Sequence, residues 1–273
     1  MSERIQVSID SHVAHVLLNR PEKKNALDGD MFEGLRQAAL DLAKNPSIRA
    51  VVLSGAGDSF CSGIDLSNFG AMASGELSED SESVKAAVAD KSADGANQAQ
   101  QLGWLWQELP VPVIAAVTGV AYGGGLHIAL GADLRIVAPD ARLAFVEVTW
   151  GLVPDMSGTQ AMRRLIPLDL AKKIVFTGET ISGEQAVAYH LATETSDHPL
   201  EAAFALASQI AERNPDAVRA AKRLLNQSGL VPLADGLANE MAASGGLMGT
   251  RNQIEAVMSK LEKRAANFED SAI

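Results

Sequence analysis

Residues 113–154 read VIAAVTGVAYGGGLHIALGADLRIVAPDARLAFVEVTWGLVP. A β-branched apolar run at 113–117 ends at Gly119. Gly123-Gly124-Gly125 then opens an apolar helical pattern that carries His127. Strand-like runs return at 134–138 and 143–145, and one acidic residue, Glu147, stands among apolar neighbours in FVEVTW. A strand, a glycine turn and a helix in succession suit α/β layering with parallel strands. The first turn of such a helix has free N–H groups and a positive dipole end, and glycine lets a ligand come close to the backbone. Phosphate or a developing oxyanion fits there. Close helix–strand packing explains the three glycines equally well. No Lys-Ser/Thr follows them, so they do not form a P-loop.

The flanks repeat the theme. Residues 5–9 and 13–18 predict a β-hairpin around Asp10-Ser11-His12. Residues 27–44 predict a helix with Asp28 as N-cap and Met31, Leu35, Ala38, Ala39 and Leu42 on one face. A buried strand at 50–53 leads through a turn-rich stretch to FCSGIDL at 60–66. There Gly63 permits a tight turn that can aim the Ile64 N–H into a cleft. Residues 71–101 are small, polar and acidic, as befits either a solvated surface segment or a lid beside a ligand site. Residues 97–109 read as a helix with Trp104 and Leu105 half-buried. Beyond Ser157 the patterns are helical, at about 158–165, 168–177, 183–190, 200–213, 215–225, 232–248 and 250–266. The expected organisation is an α/β spiral core over 1–195 and a helical C-terminal region over 196–273.

Bulk properties bound the function. The chain has 273 residues, 47% hydrophobic and 21% charged, enough for a sizeable core. Its net charge of −11 argues against nucleic acid, whose phosphates need a basic face. Cys61 is the only cysteine, which rules out an intrachain disulfide and suits a reducing cytoplasm. Residues 111–132 carry no formal charge, but Pro112, Gly119 and the glycine triplet break them up, so no membrane span is expected.

Three side chains are candidates for proton transfer. Burial would raise the pKa of Glu147, which suits a base that must return its proton; the competing placement is the wet face of a strand. Asp155 lies eight residues on, past a Gly-Leu-Val-Pro turn, and can converge on the same substrate or else cap the helix starting near Ser157. His127, three residues after Gly124, either faces the cleft or is satisfied in a packed helix. His12, His15, His190 and His198 show no metal-ligand spacing, and no Gly-x-Ser-x-Gly seats a nucleophile.

These pieces together resemble the crotonase (enoyl-CoA hydratase/isomerase) superfamily. The resemblance runs through LNRPEKKNAL at 18–27, FCSGIDL at 60–66, PVIAAVTGVAYGGGLHIAL at 112–130, GADLRIVAPDARLAFVEVTWGLVPDMSGTQ at 131–160 and LEKRAANF at 261–268. It implies stacked ββα turns, a C-terminal helical region that builds trimers or hexamers, and an acyl-CoA ligand whose coenzyme A is part of the substrate, with no separate cofactor. It places the backbone N–H groups of Ile64 and Gly124 in an oxyanion hole for the thioester carbonyl. It places Ser62, Asp65 and Leu66 near the adenine, with Lys23, Lys24, Lys260 and Lys263 as phosphate partners. Hydratases of the family carry two glutamates; Glu147 matches the second, and His127 stands where the first would be. The spacing from Glu147 to Asp155 looks like the glutamate–aspartate pair of the family's dienoyl-CoA isomerases, which have a further aspartate at the position of His127. Double-bond isomerisation by Glu147 and Asp155 is therefore the first expectation. Hydration by Glu147 with His127 is the second, and non-catalytic CoA-ester binding the third. Trp150 either lines the acyl pocket or packs in the core.

Overall fold

A computed structural model of the chain describes residues 4–65, 89–92 and 94–272. The predicted hairpin is there: β1 (Ile5–Asp10) pairs antiparallel with β2 (Val13–Leu18). Ser11 and His12 both take positive φ, the backbone of a hairpin turn that matches strand twist. β3 (Ala50–Gly55) and β4 (Val113–Val117) add in parallel beside β2. β6 (Leu134–Val137) and β9 (Glu194–Thr195) complete the order β1-β2-β3-β4-β6-β9. A second, smaller sheet joins β5 (Val120–Tyr122), β7 (Arg142–Ala144) and β8 (Ile181–Ser182). Strand β5 escaped the sequence pattern because it has three residues wedged between Gly119 and the glycine triplet.

The main sheet is buried on both faces, which is why β3 and β4 read as unbroken apolar runs. Val51, Leu53, Val113, Ala115 and Val117 face one core with α1 (Gly29–Ala43) and α2 (Gln98–Glu108). Helix α1 begins as predicted, with the Asp28 carboxylate accepting from the Met31 N–H at 3.0 Å. In α2, Trp104 is half-buried, whereas Leu105 is fully buried. Ala50, Val52, Ile114, Ala116 and Ile136 face the other core, closed by Ala203, Ala207 and Ala211 of α7 (Pro199–Ala211).

Helix α3 (Gly124–Gly131) is buried on every side, so it is apolar all round. It crosses α2 where Gly131 meets Gly103; a Cβ on Gly131 would collide with the Gly103 backbone. Short helices α4 (Gly158–Met162), α5 (Leu168–Thr177) and α6 (Gly183–Ala188) follow. Helix α8 (Pro215–Gln227) is stapled to the core by buried Lys222, whose Nζ lies 2.7 Å from Asp133 and 2.9 Å from the carbonyls of Trp106 and Val111. Helix α9 (Leu233–Leu247) has no buried residue, and α10 (Arg251–Leu261) buries only Asn252 and Ser259. Residues 111–132 are divided among β4, β5 and α3, and no described helix is long and apolar enough to cross a membrane.

Candidate functional site

Two glycine turns from distant parts of the chain meet. Cys61 is tied to β5, its N–H donating to Val120 O and its carbonyl accepting from Tyr122 N, both at 3.0 Å. Two residues on, Gly63 O accepts from Leu27 N, and Asp65 N donates to Leu27 O. Gly63 has φ +90°, and a Cβ there would lie 2.7 Å from Tyr122 O and 3.6 Å from Gly124 N. Only glycine combines that backbone with that closeness. The N–H groups of Ile64 and Gly124 donate to no backbone carbonyl among the described residues. They remain as neighbouring free donors, the second at a helix start.

The carboxylates lie on the next segment. Phe145 is fully buried, and the chain then curls into a 3-10 turn, Glu147–Trp150. Glu147 is therefore not on the wet face of a strand: its side chain is 12% exposed. A Cβ on Gly123 would meet its Oε1 at 3.3 Å, so the carboxylate stands beside the start of α3. His127 Nε2 lies 3.0 Å from that Oε1, at an angle too oblique for a good hydrogen bond. The imidazole is sealed, with Phe145 at 5.5 Å between ring centroids and Gly158 against its other side. A Cβ on Gly158 would stand 2.8 Å from His127 Cδ2. His127 Nδ1 and Glu147 Oε2 have no hydrogen-bond partner.

Asp155 does not cap the following helix. Ser157 is the N-cap of α4, with φ +67° and no side-chain capping bond. Met156 anchors the loop under the glycine turn, 2.9 Å from where a Gly124 Cβ would be. Asp155 is left open to a cavity of about 820 Å³. Loss of hydration raises its pKa; the imidazole of His127 partly offsets this, and Glu147 adds to it.

The other candidates spread around this centre. Ser62 N donates to Lys24 O and its hydroxyl to Lys23 O, at 2.9 and 3.2 Å, so exposed Lys23 and Lys24 ride on the Ser62 turn. Asp65 is buried against Arg20, with Nη1–Oδ2 at 2.5 Å. Leu66 lies outside the described residues, as do 67–88 and 93 of the acidic stretch. Trp150 is 52% exposed and so is not a core residue. Lys260 and Lys263 are exposed at the end of α10 and just beyond it. Sequence reasoning missed Met156, Gly158 and the cavity arginines Arg163, Arg164 and Arg223. Their local patterns are ordinary, and only the fold brings them to the site.

Comparison with known proteins agrees with this geometry. The family model described as enoyl-CoA hydratase/isomerase matches residues 8–271. The (E)-benzylidenesuccinyl-CoA hydratase of Thauera aromatica is 33% identical over 267 residues, covering 97% of this chain and 98% of the relative. The human mitochondrial methylglutaconyl-CoA hydratase is 30% identical over 258 residues, covering 92% and 72%. The crystal structure of an enoyl-CoA hydratase from Bacillus anthracis superposes with a TM-score of 0.87 at 32% identity, covering 98% and 100% of the two chains. With facing glycine turns, a half-buried glutamate beside them and this likeness along nearly its whole length, the chain belongs to the enoyl-CoA hydratase/isomerase family of the crotonase superfamily.

Proposed function

We propose that the protein moves a double bond along an enoyl- or dienoyl-CoA, with Glu147 and Asp155 as its two proton carriers. The observation that supports this reading is the Glu147 carboxylate standing beside Gly123 at the start of α3, with Asp155 on the following loop open to a cavity. The thioester oxygen accepts from the N–H groups of Ile64 and Gly124, and negative charge builds on it as an enolate forms. Each such donor contributes roughly 3–4 kcal/mol to the transition state. Glu147, beside Gly123, takes the proton from C2. Asp155, further along the chain and with its pKa raised by loss of hydration, delivers a proton to a remote carbon of the dienolate. The carboxylates have then exchanged protonation states, and proton exchange resets them. His127, with no exposed side-chain surface, acts through Glu147 by packing 3.0 Å from its carboxylate and limiting where that carboxylate can move.

Hydration is the second reading, favoured by the names of the relatives. Here Glu147 and Asp155 would hold a water and add it across C2–C3, in place of the Glu147–His127 pair expected from sequence. The deciding assay offers trans-2-enoyl-CoA and 3,5-dienoyl-CoA separately to the wild type, Glu147→Gln and Asp155→Asn. Isomerisation predicts a shifted dienoyl product, with both variants down 100-fold or more in kcat. A hydroxyacyl product with the dienoyl-CoA untouched overturns isomerisation in favour of hydration. Turnover undiminished in both variants removes these residues from the chemistry. A CoA-ester binding protein would show affinity without turnover. The family match supports an acyl-CoA ligand, and proton transfer of this kind needs no cofactor besides the CoA of the substrate. The bare apolar faces of α9 and α10 support a trimer, single or paired, as the working form.

A further inference from the structure

The cavity behind Asp155 is uneven in charge. Asp94 and Glu108 also line it, but both are engaged at its wall. Asp94 Oδ2 accepts from Trp104 Nε1 at 2.9 Å, and Glu108 Oε1 accepts from the Ser92 hydroxyl at 2.7 Å and the Asp94 N–H at 3.2 Å. Of its cations, Lys222 is held by Asp133 and Arg219 Nη2 is turned to the Ile48 carbonyl at 3.2 Å. Three guanidinium groups remain: Arg163, Arg164 and Arg223. Arg164 lies 5.5 Å from the centre of the Trp104 ring; loss of hydration lowers its pKa, the charge of Arg163 lowers it further, and Asp94 partly offsets both. The side chains of Arg163 and Arg223 make no ion pair or hydrogen bond among the described residues. All three are solvent-exposed, and with Lys222 and Arg219 engaged elsewhere they give the cavity a positive rim that favours an anionic ligand.

The position of the cavity says which part of a substrate would reach it. Ser62, Lys23 and Lys24 lie on the Gly63 side of the two donors, where the CoA moiety is expected. Asp155 lines the cavity, so with Asp155 acting on the remote end of the reacting system, what enters it is the far part of the acyl chain. We propose that this chain ends in a carboxylate: the substrate is the CoA half-thioester of a dicarboxylic acid, with Arg163, Arg164 and Arg223 as counter-charge. Guanidinium forks match a carboxylate in geometry, and Trp104 and Leu230 supply apolar wall for the intervening methylenes. The inference rests on the Glu147–Asp155 reading of the site, which sets the direction of the chain.

Binding of unreactive thioesters tests it apart from turnover. Adipyl-CoA and hexanoyl-CoA share a six-carbon chain and lack the double bond. Calorimetry on the wild type should find adipyl-CoA at least tenfold tighter, with the advantage shrinking as salt rises. Arg163→Gln and Arg223→Gln should each reduce that ratio fivefold or more while free CoA changes less than twofold. Equal affinity for the two thioesters in the wild type overturns the proposal without recourse to any variant. So do variants that weaken free CoA as much as adipyl-CoA, because the arginines would then serve the CoA phosphates. A clear adipyl preference in a protein that turns over no enoyl-CoA leaves this inference standing and removes the reaction reading.

Discussion

His127 shows how a single side chain can be placed by its neighbours. It sits one helical turn into α3, where a carboxylate would be reached by substrate, yet Phe145 and Gly158 close over it. Its remaining contact with a charged group is the one to Glu147. Gly158 is what permits this. In Gly158→Ala the new methyl would stand 2.8 Å from the imidazole, so ring or helix must shift. Overpacking of this kind costs about 1–3 kcal/mol. If the ring shifts, Glu147 shifts with it: kcat should fall 10- to 100-fold with KM little changed, and the pH profile of kcat should move. A variant that loses stability but keeps its pH profile would show that His127 does not position Glu147.

Among the elements, the turn at 60–65 does two jobs. It aims the Ile64 N–H, and it buries Cys61 between Asn25 O, 3.0 Å from Sγ, and the backbone of Gly125. Burial pushes the Cys61 thiol up to about 12. Such a thiol is neither thiolate nor accessible at neutral pH. Ellman's reagent should therefore release no colour from the native protein and one equivalent in denaturant. Prompt reaction in the native state would mean that the turn opens, and with it the proposed oxyanion hole. A second element-scale expectation concerns His15 on β2, wedged between Ser54 at 2.7 Å and the edge of Phe204 on α7. Burial lowers its pKa below 6.5. The unfolded chain then binds the proton first, so stability contributed here is present above about 6.5 and is lost as pH falls toward the folded pKa. The urea midpoint should drop between pH 7.5 and 5.5 in the wild type and drop less in His15→Gln. Equal slopes would sever α7 packing from this histidine.

At the scale of the whole molecule, α7 and α8 pack onto the spiral core, whereas α9 and α10 leave Leu233, Leu237, Met241, Ile254 and Leu261 at least half exposed. So many exposed apolar side chains on two helices suit an association face. Light scattering should give a mass of three or six chains, and Leu237→Arg with Met241→Arg should shift it toward one chain. A monomeric wild type would leave these helices without the proposed role.

Much of this was legible along the chain. Strands β3 and β4, the cap at Asp28 and the whole of α5 follow from apolar runs, a local side-chain bond and helical periodicity, all of which are local. The glycines at 63 and 123–125 also declared themselves, because a positive φ or a close approach leaves few alternatives to glycine. What local pattern cannot hold is distance between remote residues. Whether Glu147 lay on a wet strand or beside Gly123, whether Asp155 capped a helix or faced a cavity, and whether His127 met substrate or stood behind it were open in the sequence. Each was decided by which segment packed against which. The facing of Gly63 and Gly124 arises because Cys61 pairs with β5 and Ile64 with Leu27, contacts between segments 37 to 60 residues apart. The sequence alone determined a layered α/β chain with backbone donors and carboxylates for enolate chemistry. The tertiary structure decided that Glu147 stands beside Gly123 and that Asp155 faces a cavity, because burial and Coulomb interaction depend on separation in space, not along the chain.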